Sequence, residues 1–230
     1  MIRGRASLFL LRVFLPYMDR SFHIVPPQHL RSPVNKRRSY HHGSRLSDAA
    51  GPQTLDTADA KAKPLLEQAN ATLGFVPHMY EGMAKAPGVL DTYLHGYALF
   101  REDSGFAPAE QEVVFLTISR LNGCGYCMSA HSMLADKMSQ VPADVLEAIR
   151  SDKPIPDARL AALAEFTRVM FETRGMPAQA DVKAFLDAGF EEQQVLQIVL
   201  ALAVKTLSNY ANHVNHPTLD DAFADYAWQG

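Results

Sequence analysis

The chain has 230 residues, 47% of them hydrophobic, with 22 Lys/Arg against 25 Asp/Glu for a formal net charge of −3. That is enough to bury a sizeable core in one domain, or one domain and a tail. The charge is uneven. Residues 1–45 hold nine basic residues and a single acid, Asp19, for a net of +8, so residues 46–230 carry −11. An acidic body argues against nucleic acid as its partner.

The head contains the apolar run Ser7–Leu15, which Arg12 interrupts and which is far too short to span a bilayer. No convincing small-x-small cleavage site follows it. Its Arg-rich, acid-poor composition fits an organellar transit peptide, and equally an upstream start that precedes the true beginning at Met18 or later. Pro26, Pro27, Pro33 and the polar run 36–44 read as disordered linker. The expected organisation is a disordered or transit-like extension over 1–50 and one domain over 51–230.

Within that domain nothing alternates with period two long enough to be a strand, and apolar residues recur at three and four. The elements are therefore helices. Pro64 opens the first and Gly74 stops it. A second runs from about Pro87 to Phe100, with Val89, Leu90, Tyr93, Leu94 and Leu99 on it. Pro108 opens a third, with Glu110 and Glu112 in its first turns where acids favour the dipole. It ends at Leu121, and Asn122-Gly123 breaks it. A helix from Cys124 to about Met138 follows, then a short one from Pro142 through Ile149. Asp157 caps a longer helix with Leu160, Leu163, Phe166, Val169 and Met170 on its core face. Segments 181–188 and 191–214 complete an all-α domain of roughly eight helices. The run Val195–Leu207, broken only by Gln197 and Lys205, reads as a helix buried on most sides; it is too short for a membrane span.

The chemistry concentrates in one place. The only two cysteines stand in Asn122-Gly123-Cys124-Gly125-Tyr126-Cys127-Met128-Ser129-Ala130-His131. On a helix, Cys124, Cys127 and His131 fall at i, i+3 and i+7 and share one face. Two inert buried thiols would be one explanation, since free Cys is among the most buried residue types. Half a zinc site would be another, but no second Cys-x-x-Cys or suitably spaced His pair exists, and His213 and His216 lie some eighty residues away. A structural disulfide would close too short a loop to stabilise much. A working dithiol in a reducing compartment is the reading that uses all three side chains. A cytoplasmic location fits it, with organellar import if the head is a transit peptide.

Such a site needs a thiolate, whose pKa must fall below the free value of ~8.5. Cys124 lies near a helix N-terminus, and His131 is one turn beyond Cys127 as base or proton carrier. Attack on a peroxide leaves a sulfenic acid, which a neighbouring thiol captures as a disulfide. Glu112, or its competitor Glu110, could supply the acid if the two helices pack together. As an alternative it is an ordinary first-turn acid. Asn209, Asn212, His213 and His216 are read as helix-end or interface residues, Tyr126 as a packing residue, and His78 and His95 as belonging to no constellation.

The pattern Glu112, eleven residues, Cys124-x-x-Cys127-x-x-x-His131 resembles the signature of the alkylhydroperoxidase D-like branch of the carboxymuconolactone decarboxylase family. Pro108–Glu112, Ala130–Ser132 and the later Asn209–His213 with Pro217–Asp220 are similar to that family too, so the likeness covers about residues 55 to 225. It implies an all-helical fold assembling as homotrimers or hexamers, and thiol-dependent reduction of organic hydroperoxides. It also implies that Cys127 attacks the peroxide, that Cys124 resolves, and that Glu112 and His131 form a proton relay. No organic or metal cofactor is expected. The partners implied are a small peroxide and an external dithiol reductant, with no nucleic acid or membrane. A decarboxylase acting on lactones would have no need of the dithiol. A non-catalytic redox-sensing oligomer would need it only as a switch.

Overall fold

A computed structural model describes residues 51–230, so the expectations placed on residues 1–50 lie outside the described residues. The described chain is wholly helical, as the period of its apolar residues demands. It forms α1 (Lys63–Leu73), α2 (His78–Met83), α3 (Pro87–Asp103), α4 (Pro108–Leu121), α5 (Gly125–Lys137), α6 (Ala143–Ser151), α7 (Ala158–Glu172), α8 (Gln179–Asp187) and α9 (Glu192–Asn215). A short 3-10 helix, Asp221–Tyr226, closes the order. The sequence reading misses two of these elements, α2 and the 3-10 helix. Both have only six residues, too few for a periodic signal.

The stops and starts are those the residues dictate. Gly74 ends α1 in the left-handed conformation at φ +82°. The Asp157 carboxylate accepts the Leu160 N–H at 2.8 Å to cap α7. Gly123, at φ +68°, lets the chain turn sharply between α4 and α5.

The central element is α4. Every residue from Glu110 to Ser119 is buried, and the helix packs against α5, α6, α7 and α9. Aromatic rings fill the spaces around it. Phe100 and Tyr97 from α3 meet Phe115 with centroids 4.6 and 5.5 Å apart, and Phe166, Phe185 and Phe190 stack at the α7–α8 end.

α9 departs from its expected burial on most sides. Leu196 is 71% exposed, and Val199, Tyr210 and Val214 join it on an open face. Its other face, with Ile198, Ala201, Val204, Lys205, Ser208, Asn209 and Asn212, is buried against the body of the domain. The run is apolar on both faces, and the sequence cannot say which apolar stripe the domain itself covers.

α3 and α9 approach closely at Gly96, where a Cβ would stand 3.0 Å from Val204 Cγ2 and 3.7 Å from Leu200. This contact sets how deeply the buried face of α9 reaches into the domain. Gly96→Val is expected to overpack it and lower stability by about 1–3 kcal/mol, read as a lower urea midpoint with an unchanged m-value.

Candidate active site

Cys124 is not in the helix that follows it. It occupies the N-cap position of α5 with extended backbone (φ −87°, ψ 94°), and Cys127 stands in the first helical turn. The expected continuous stripe therefore begins one residue late. The N-cap swings Cys124 back over the first turn, and the two thiols still meet. Both are free and buried, at 1% and 2% exposure. Asn212 of α9 lies across both, its amide nitrogen 3.3 Å from Cys127 Sγ and 3.7 Å from Cys124 Sγ. Asn209, one turn earlier, accepts from the Asn122 side chain at 2.8 Å and so ties α9 to the turn before the cysteines.

His131 lies one turn beyond Cys127, as the spacing requires, and it is also buried. Its ring Nδ1 is 2.8 Å from Glu112 Oε2. The Arg101 guanidinium of α3 donates to the other oxygen of Glu112 and to the Tyr97 hydroxyl, the latter at 2.7 Å. Glu112, fully buried, is thus held by a cation on one side and an imidazole on the other. Glu110, its competitor in the sequence, faces away from this group: it accepts the Ala107 N–H at 2.9 Å and pairs with Arg159 at 2.8 Å. It serves the start of α4.

The electrostatics follow from burial and neighbours. Burial alone would push the Glu112 carboxyl up, but His131 and Arg101 together hold it below its usual range. His131 is drawn down to about 4, first by burial and then by the Lys205 ammonium, against the opposing pull of Glu112. It is therefore a neutral imidazole at neutral pH. With Glu112 ionised, Nδ1–H donates to the carboxylate and Nε2 is left as the basic nitrogen.

The thiols split. Burial works against ionisation of Cys127, yet the Cys124 thiol, the Lys205 ammonium and the Asn209 and Ser208 side chains more than offset it and bring Cys127 down to about 6. Cys124 moves the other way, well above its ordinary value, because it hydrogen-bonds to Cys127 and is itself buried. Two cysteines three residues apart are thus a thiolate and a thiol.

The sequence reading does not find Lys205, Tyr80, Tyr93 or Tyr97 as site residues, and it gives Asn209 and Asn212 ordinary roles. Lys205 stands in the sequence as a flaw in an apolar run. Its side chain is 1% exposed, with Nζ 5.5 Å from the centre of the Phe115 ring. A signal was present: on a helix, Lys205, Asn209 and Asn212 fall at i, i+4 and i+7. Tyr126, read as packing, donates its hydroxyl to Asp220, and Asp220 also accepts the His78 N–H at 3.2 Å. Gly125 is tight because the Trp228 carbonyl of the C-terminal segment lies 3.0 Å from where a Cβ would be. His216 caps α9 in the left-handed conformation, and His95 is exposed. Among the described residues, no group of three or more His, Cys, Asp or Glu is arranged to hold a metal ion.

The sequence model of the carboxymuconolactone decarboxylase family matches residues 87–168, a span that contains Glu112, Cys124, Cys127 and His131. The helices that carry the dithiol are similar to this family over that span. Lys205, Asn209 and Asn212 lie beyond the matched span. No curated protein matches the chain in sequence.

Solved structures with the same fold carry other names. An alkylhydroperoxidase AhpD core, an uncharacterized peroxidase-related protein from Ralstonia eutropha JMP134, superposes with a TM-score of 0.65 at 22% identity, covering 78% of this chain and 94% of its own. An uncharacterized peroxidase-related protein from Silicibacter sp. TM1040 gives 0.62 at 19%, covering 77% and 97%. A cysteine-to-alanine variant of the debrominase Bmp8, in complex with 2,3,4-tribromopyrrole, gives 0.63 at 14%, covering 80% and 97%. At these identities the likeness is one of fold, and one fold hosts several chemistries.

The protonation states make a stability prediction. His131 is neutral in the fold, at about 4, whereas the unfolded chain offers the ordinary imidazole value of 6.5. Between these values the unfolded state binds the extra proton. The His131 contribution to stability is therefore whole above 6.5 and falls with pH down to about 4, by at most ~1.4 kcal/mol per pH unit. Glu112, held low, adds a second loss only below the ordinary carboxylate range. Urea titrations across pH 4–7 should show the His131 limb in the wild type, and His131→Gln should flatten it.

Proposed function

We propose that the protein is a thiol-dependent peroxidase that reduces organic hydroperoxides, cycling Cys124 and Cys127 between dithiol and disulfide. The observation that carries this reading is the pair of free thiols buried together against the Asn212 amide, one turn from a His131 that Glu112 holds. The Cys127 thiolate attacks the terminal peroxide oxygen. An S–O bond forms, the O–O bond breaks, and the alkoxide leaves and takes up a proton. The Cys124 thiol then attacks the sulfenic acid. The S–S bond forms as the S–O bond breaks, and hydroxide departs with the Cys124 proton as water. An external dithiol restores the pair. Neutral His131, oriented by Glu112, is the base that moves the resolving proton.

The chemistry is tested by counting thiols. One equivalent of cumene hydroperoxide should consume both, and Cys127→Ser should lower the rate of peroxide loss by at least ~100-fold. Survival of both thiols, or an unaffected Cys127→Ser rate, removes the reading. A second reading rests on the fold shared with the debrominase: here the Cys127 thiolate would take bromine from a ring carbon that picks up a proton, and the Cys124 thiol would then displace bromide from sulfur as the disulfide forms. Bromide released from 2,3,4-tribromopyrrole, with cumene hydroperoxide untouched, would favour it.

A homo-oligomer belongs to the same proposal. Leu196, Val199, Ala203, Thr206 and Tyr210 form an exposed seam on α9 with steps of three and four, the spacing by which helices pair. Self-association through this seam predicts a mass above the monomer in light scattering, and a return to the monomer on Leu196→Glu.

A further inference from the structure

Lys205 takes no part in the steps proposed above, yet it is the least expected group in the domain. Lys is almost never fully buried unless paired. This side chain is 1% exposed, and its Nζ has no hydrogen-bond partner. Such a group costs several kcal/mol unless a negative charge answers it. It lies on the inward face of α9 with Asn209 and Asn212, and the Asn212 amide bridges both sulfurs.

The charges around the dithiol can be counted. From α3, Arg101 is a cation, and from α4, Glu112 is the anion that answers it. On α5, His131 is neutral and Cys124 is a thiol. Tyr80 on α2 and Tyr93 and Tyr97 on α3 are pushed further into their neutral forms by burial. Tyr126 is likewise neutral, and its hydroxyl donates to Asp220 at the start of the closing 3-10 helix, a carboxylate that also lies 3.2 Å from His78 Nδ1. That leaves Lys205 with one possible counter-charge, the Cys127 thiolate. With the thiolate present the group is neutral, and with a thiol it carries one unanswered buried positive charge.

We infer that Lys205 is a catalytic cation of this site, holding Cys127 as the thiolate and then giving its proton to the alkoxide that the thiolate releases. This rests on the peroxidase reading and completes its proton balance. The Cys127 thiolate, the hydroperoxide and the Lys205 ammonium become a sulfenic acid, an alcohol and a neutral amine. Sulfur is oxidised, the peroxide is reduced, and positive and negative charge vanish together. When an external dithiol reduces the disulfide, the proton that arrives with Cys127 returns to Lys205. At no stage does the buried group hold a charge without its partner. The ammonium's three N–H donors, answered by no side chain, are what would receive the oxygen. The stabilised thiolate also favours the reduced form, which makes the disulfide a stronger oxidant.

The test uses the full chain with Lys205→Met and Lys205→Gln, which remove the charge, and Lys205→Arg, which keeps it. Ultraviolet thiolate absorbance of the reduced protein should show a lower midpoint near 6 in the wild type. The midpoint should rise by about one unit or more in both neutral variants and stay low in Lys205→Arg. In mildly alkaline buffer, where every form holds the thiolate, the neutral variants should still lose thiols to cumene hydroperoxide about tenfold more slowly. Equilibration with glutathione should shift severalfold toward their disulfides. An unmoved midpoint, an equal rise in Lys205→Arg, full alkaline recovery of rate, or failure of both neutral variants to fold would each overturn the assignment. A low wild-type midpoint that moves as described, in a protein inert to hydroperoxides, would sink the peroxidase reading while leaving the counter-charge measured.

Discussion

A carboxylate with no exposure to water must be answered by positive charge or hydrogen-bond donors, and Glu112 is answered by both. Arg101 reaches it from α3 and His131 from α5, while Glu112 itself sits on α4, the helix around which the domain is built. Three helices are thereby fixed in rotation about their own axes. Removing Arg101 or Glu112 would strand a charge in a low dielectric, which is far costlier than losing a surface pair. The arrangement also selects the histidine tautomer. An imidazole that donates through Nδ1 has its Nε2 free to accept, so a structural constraint becomes a chemical one.

The second set of constraints comes from α9. Its buried face is polar along one stripe, with Lys205, Asn209 and Asn212, and apolar beside it, with Ile198, Ala201 and Val204. The apolar part holds the helix against α3, where Gly96 permits close approach. The polar part is then carried into the space beside the thiols. Asymmetry between the two cysteines arises here. They share burial and differ in their neighbours, so Cys127 is the one that ionises and Cys124 donates to it.

Several parts of this were legible from residues alone. The pair of prolines and glycines bounding α1 and α4, and the Asp157 cap, mark helices through backbone chemistry that acts locally. The spacing of Cys124, Cys127 and His131 speaks because a helix converts separation in sequence into direction in space. Glu112 was legible only as a first-turn acid, and the family resemblance pointed further. Its choice over Glu110 depends on which way each side chain faces from α4, and two acids two residues apart face different neighbours.

The sequence by itself determined the helical class, the location of the dithiol and the sulfur–imidazole spacing, because these depend on contacts within one or two turns. Only the tertiary structure decided which acid joins His131, which stripe of α9 is buried, and that Lys205 is buried on that stripe with Asn209 and Asn212. Those are long-range matters: Asn212 meets Cys124 from 88 residues away, and Glu112 meets His131 from 19. Packing selects such pairs by the joint burial of whole helix faces, and no local spacing records that choice.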